Sequence, residues 1–206
     1  MSRVAARNLN FAEPLAIFLS IECYIWVLRG THRLLWLPIL GCILLSHYVR
    51  SERPDDLGFQ AANLRDCLRV YAPLLTFLGL TGLGAGMVFQ TTRPIAFEQG
   101  VFAFAAYVPW GVFQQYMLHG YFLTRFDAVL SRRAAALLAA VLFSGAHTPN
   151  WFLMTVTLLG GYAATHLYRR YRNLWFLGLA HAVFGFVLYL VVPDSISHHL
   201  NVGPGY

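Results

Sequence analysis

The sequence predicts an all-α fold, a polytopic transmembrane helical bundle of about seven spans with one short interfacial helix, forming a single membrane domain over residues 1–206. Three observations carry this prediction. Charged residues make up only 12% of the chain and hydrophobic ones 58%, whereas a soluble domain carries roughly 25% charge, so polar side chains are too few to cover a water-facing surface. The apolar residues fall in runs of spanning length, about 20 residues for ~30 Å of hydrocarbon. All fifteen Lys+Arg positions are Arg, and they fall between those runs. The composition excludes intrinsic disorder. Glycines without a period of three exclude a collagen-like chain, and Cys23, Cys42 and Cys67 are too scattered for a disulfide framework or a CxxC metal site.

Taken in order, Phe11 to Leu28 is the first run, with Glu13 near its start and Glu22 within it. It is long, lacks a small-residue cleavage site and precedes further spans, so it reads as a retained helix rather than a signal peptide. Leu34 to Val49 is the second, closed by Arg50. Ser51 to Arg69 is polar enough for headgroups or water, and its Ala61 to Leu68 stretch predicts the interfacial helix. Val70 to Thr92 and Gly100 to Thr124 are the third and fourth spans. Ala134 to Tyr168 has no charged residue and, at ~1.5 Å per residue, is about 50 Å long, too long for one crossing. The turn signal Thr148-Pro149-Asn150 divides it into spans five and six. Leu174 to Val192 is the seventh, stopped by Pro193-Asp194.

With seven spans, twelve arginines fall on one side and only Arg29, Arg33 and Arg93 on the other. The positive-inside rule then places the N-terminus in the cytoplasm and the C-terminus outside, in the inner (plasma) membrane of the cell. The net charge of +6 serves this topology, and no basic stripe with interleaved aromatics points to nucleic acid. The bilayer is the expected partner.

Polar groups inside spans are costly and therefore candidates for function. They are Glu22, Gln114, Gln115, His119, His147, His166 and His181. His166, a turn from Arg169 and Arg170, reads as interfacial. Glu22 stands alone in the first span, and the other five fall in three motifs: Gln114-Gln115-Tyr116-Met117-Leu118-His119 in the fourth span, Phe143-Ser144-Gly145-Ala146-His147 ending the fifth, and His181-Ala182-Val183-Phe184-Gly185 in the seventh.

This succession resembles the CPBP family, the CAAX-protease and bacteriocin-processing intramembrane peptidases, over roughly residues 100–192. The family pattern is Glu-Glu-x-x-x-Arg, then Phe-x-x-x-His, then His-x-x-x-Asn on successive helices. The resemblance implies an intramembrane endopeptidase acting on a membrane-embedded or lipidated peptide or protein, with Gln114, Gln115, His119, His147 and His181 at its site. It implies either a zinc or other divalent ion held by His147 and His181 or a metal-free oxyanion site. The departures matter equally. Gln114 and Gln115 stand where the glutamates belong, His119 replaces the arginine and Gly185 replaces the asparagine. A glutamine amide is neutral and cannot serve as a carboxylate base, so catalysis is expected to be altered or lost.

Counting inward from the nearest arginines places Gln114 about 16 Å, His181 about 14 Å and His147 about 21 Å deep, near one level, with His119 shallower at about 9 Å. At i, i+4 from Gln115, His119 would share its helix face, and three histidines would offer the ligands of a catalytic zinc. Other readings remain: a pseudo-protease that binds a membrane peptide or lipidated tail as a chaperone, immunity factor or regulator; a serine site with Ser144 activated by His181; and a transporter. Glu22 or a histidine is the candidate replacement base.

Overall fold

The computed structural model describes residues 3–206, with side chains described from Asn8 onward, so the Arg3 and Arg7 side chains counted in the topology lie outside the described residues. Helix α1 (Arg3–Cys23) continues through a π-helical stretch, Tyr24–Leu28, and a 3-10 turn at Arg33–Leu35 leads into α2 (Trp36–Val49). Helix α3 (Leu64–Val88) follows. Helix α4 (Phe97–Gln115) continues without a break through the π-helical Tyr116–Leu123 into α5 (Thr124–Asp127). The bundle is completed by α6 (Arg132–Gly145), α7 (Trp151–Tyr171) and α8 (Leu174–Val191), with a short α9 (Asp194–Ser197) in the tail. No strand occurs among the described residues.

The last three long helices each begin at a side-chain cap: Ser131 accepts from Ala134 N–H, Asn150 from Leu153 and Asn173 from Phe176. Such caps satisfy backbone donors that nothing else at a helix start would pair. Three helices, Asn8–Leu28, Leu64–Val88 and Leu174–Val191, are long and apolar enough to cross a membrane, and Arg33–Val49 is a shorter apolar helix. Large side chains such as Phe77, Leu80 and Phe102 face outward. An apolar exterior of this kind suits lipid rather than water, and the chain is a helical membrane bundle.

One expected element is absent. Between α2 and α3 the chain forms turns, and Leu64–Leu68 are the first turns of α3 rather than a separate interfacial helix. The Arg53-Pro54-Asp55-Asp56 segment instead folds into successive turns against the bundle, with Leu57 buried and its carbonyl accepting from the Tyr168 hydroxyl at 2.9 Å.

Two packing features position the interior. Helices α4 and α8 meet through glycine: a Cβ on Gly178 would lie 2.6 Å from the Val112 Cα, and one on Gly111 would lie 2.6 Å from the Gly178 carbonyl. Small residues let membrane helices approach this closely. At one end, where α1, α2 and α5 meet, polar residues form a dense network. Arg125, only 2% exposed, donates to both Glu52 oxygens at 2.6 and 2.7 Å and to the Ser46 hydroxyl at 3.0 Å. Arg50 donates to Glu13 at 2.7 Å and the Tyr121 hydroxyl to Glu13 at 3.0 Å, while His47 pairs with Glu52 at 2.6 Å. Burial opposes ionisation of Glu52, but the hydrogen bonds from Arg125 and His47 outweigh it and hold its carboxyl below the usual range.

Candidate functional site

A cavity of about 1220 Å³ runs through the middle of the bundle, lined mainly by apolar and aromatic side chains of α1, α2, α3, α4, α6, α7 and α8. Gln114, Gln115, His147 and His181 all line it. The four residues come from three different helices, and each helix delivers its group for a local reason.

The glycine contact between α4 and α8 brings the Gln115 amide within reach of His181, and Gln115 Nε2 lies 3.1 Å from His181 Nδ1. An amide N–H donates, so His181 Nδ1 accepts and its proton resides on Nε2. His147 has the opposite arrangement. It stands just past the end of α6, and its Nδ1 donates to the Phe143 carbonyl at 2.7 Å, leaving a lone pair on Nε2. The two imidazoles flank one phenyl ring, with centroids 5.0 and 6.3 Å from that of Phe143. The chamber thus holds one imidazole N–H and one imidazole lone pair. The carbonyl oxygens of Gln114 and Gln115 are buried with no protein partner among the described residues, so two acceptors also remain free.

The other expected site residues lie elsewhere. His119 is fully buried but does not line the cavity; its ring stacks on Tyr168 at 5.0 Å, with Nε2 3.4 Å from the Thr165 hydroxyl of α7. Sharing a helix face with Gln115 does not bring His119 to the chamber, because it stands a full turn further along the helix, where Tyr168 and Thr165 of α7 cover it. Glu22 is not a lining residue either, because α1 turns Phe18, Ile21 and Ile25 to the cavity. Ser144 donates to the Met154 carbonyl at 2.7 Å and does not line the chamber, so the serine-site geometry is not formed.

Zinc requires three or four protein ligands. Among the described residues no group of three His, Cys, Asp or Glu side chains is close enough to hold a metal. With His119 turned away, His147 and His181 are two donors backed only by weakly ligating amides, and this set does not fit a zinc centre.

Tyr107 is a lining residue that the motifs did not reveal. A Cβ on Gly185 would lie 2.5 Å from the Tyr107 ring and 2.7 Å from its hydroxyl oxygen. The tyrosine occupies space that an asparagine at position 185 would need, and its ring centroid is 6.1 Å from that of His181. A packing partner on a separate helix carries no signal in a single sequence. The tail also reaches the cavity. Leu200 and Val202 line it, Arg29 donates to the Val202 carbonyl at 3.2 Å, and Gly203 N–H donates to the Thr148 carbonyl at 2.8 Å. Gly203 has φ +72°, and a Cβ there would lie 2.6 Å from Ile25, so the close approach needs glycine.

Residues 96–187 match the family model described as Rce1-like, type II CAAX prenyl endopeptidase. No curated protein and no solved structure matches the chain. The matched segment contains Gln114, Gln115, His147 and His181, the four polar groups that converge on the cavity. Over this segment the chain is similar to the Rce1-like family of type II CAAX prenyl endopeptidases.

Proposed function

We propose that this protein is a membrane endopeptidase of the CAAX type in which a histidine pair does the work of the missing glutamates. Its cavity, apolar along most of its wall, accepts a lipidated or membrane-embedded peptide, and the polar groups near α4, α6 and α8 receive the scissile bond. The observation that carries this reading is the complementary state of the two imidazoles. His147 Nε2 takes a proton from water as the water oxygen attacks the peptide carbonyl carbon. The developing oxyanion meets His181 Nε2–H, whose orientation Gln115 fixes. The proton on His147 then passes to the leaving amine. Gln114 accepts a hydrogen bond from the attacking water, and the Tyr107 hydroxyl offers a second donor. A positioned base contributes roughly 10²- to 10⁴-fold, and an oxyanion donor roughly 10²- to 10³-fold.

The same reading includes seven crossings, with the N-terminus in the cytoplasm and the arginine-rich helix ends on that side, which the distribution of arginine supports.

A second reading has its own support. No Asp or Glu lines the cavity, and a chamber without a carboxylate suits a pseudo-protease that holds a lipidated tail without cutting it. Purified protein in detergent, given a prenylated peptide with a C-terminal reporter, separates the two. The endopeptidase reading expects turnover that falls at least about a hundredfold in His147→Ala and in His181→Ala, while peptide binding persists. Binding without turnover in the wild-type chain would overturn it in favour of the second reading.

A further inference from the structure

A second concavity, of about 410 Å³, opens between the start of α6 and the end of α7 and takes no part in the chamber described above. It is lined by Arg132, Arg133, Tyr162, His166, Arg169 and Arg170, with Ala136. Arg169 is anchored, because it pairs with Asp127 and donates to the Arg132 carbonyl at 2.9 Å. Arg132, Arg133 and Arg170 have no carboxylate partner among the described residues, so a positive charge of about three is left uncompensated around one small pocket.

The surface that continues from the pocket is apolar. On α6, Arg133 is followed at helical spacing by Leu137 and Val141, 54% and 46% exposed; on α7, the face of His166 and Arg170 continues back to Leu159, 67% exposed. Helices α6 and α7 pack against each other, so these stripes lie side by side. A free anion would use only the arginines, and an acidic peptide would not need a hydrocarbon surface of this length.

We propose that this groove is a binding site for one anionic phospholipid, the phosphate seated among Arg132, Arg133 and Arg170 and the acyl chains laid along Leu137, Val141 and Leu159. Tyr162 and His166, whose rings pack at 5.4 Å, form the step between the charged and apolar parts. A guanidinium matches phosphate with two parallel N–H donors.

Native mass spectrometry of the detergent-solubilised full chain tests this with phosphatidylglycerol, phosphatidylcholine and inorganic phosphate as separate probes. One phosphatidylglycerol is expected to be retained per chain, with phosphatidylcholine lost at the same collision energy and inorganic phosphate unable to displace the lipid. The exposed pair Arg133→Gln and Arg170→Gln together should weaken retention roughly thirtyfold, at about fivefold per arginine. Circular dichroism of the variant should be unchanged. Equal retention of both lipids by the wild-type chain, or displacement by millimolar inorganic phosphate, would overturn the proposal without reference to any variant. Retention undiminished in the folded double variant would overturn it as well.

Discussion

At the end where α1, α2 and α5 meet, Glu13 and Glu52 are each engaged by an arginine, and Ser46, His47 and Tyr121 supply further hydrogen bonds. In the cavity between α4, α6 and α8, Gln114, Gln115, His147 and His181 are neutral, and two amide oxygens have no protein partner. The contrast separates structural from functional polarity in one bundle. Ionic groups paired across helices, as Glu13 and Glu52 are with arginine, clamp those helices, and losing one partner is expensive. Neutral groups with free donors and acceptors hold little together, but they are available to a ligand. Glu13 and Glu52 therefore serve as structural groups at the bundle end, and among the described residues no Asp or Glu lines the cavity.

Breaking the network should have the largest effect on stability. Arg125→Ala leaves Glu52 buried without its bidentate partner and should cost about 3 to 5 kcal/mol, read as a lower unfolding temperature in detergent. His181→Ala in the cavity should cost far less stability while abolishing turnover, and equal losses in the two variants would erase the distinction. Between these lies Gly178→Ala, which places a Cβ against the Val112 backbone. Overpacking there should cost about 1 to 3 kcal/mol and separate Gln115 from His181, lowering turnover although neither polar group is changed.

The pH dependence should come from the network. The folded Glu52 carboxyl titrates below its ordinary value of 4.5, so its contribution is full above that value and disappears as pH falls through the lowered one. Unfolding temperature measured between about pH 3 and 6 should drop on the acid side, and Glu52→Gln should flatten the drop. The smallest effect is expected for Tyr107→Phe, which keeps the ring against Gly185 and removes only the hydroxyl. Stability should change by less than about 1 kcal/mol, with any loss confined to turnover.

Hydropathy made the helical bundle legible, and three of its helices are long and apolar enough to cross a membrane, because composition and length alone decide whether a helix suits lipid. The polar motifs were enough to pick out Gln114, Gln115, His147 and His181, which lie on three helices and reach one chamber. His119 was misplaced because the residues that cover it, Tyr168 and Thr165, belong to α7, far off in the chain. The Leu64–Leu68 stretch looked separable, yet it continues into α3, since nothing in its sequence ends the helix. Glu13 looked like an interruption of the first span. Its value depends on Arg50, Ser46 and Tyr121 from other helices, and pairings between distant segments are not written in a local pattern. The packing of Tyr107 against Gly185 is hidden for the same reason.

The central claim is that Gln114, Gln115, His147 and His181, which line one cavity, form the cleavage site of the proposed endopeptidase. The most direct measurement is prenyl-peptide cleavage by the double variant Gln114→Glu with Gln115→Glu beside the wild-type chain. With the framework in place, restoring the carboxylates should raise turnover by roughly 10²- to 10⁴-fold, and His147→Ala in the same background should remove the gain. No increase in a variant that still folds and binds peptide would contradict the account, because the four groups would then not form the site at which cleavage occurs.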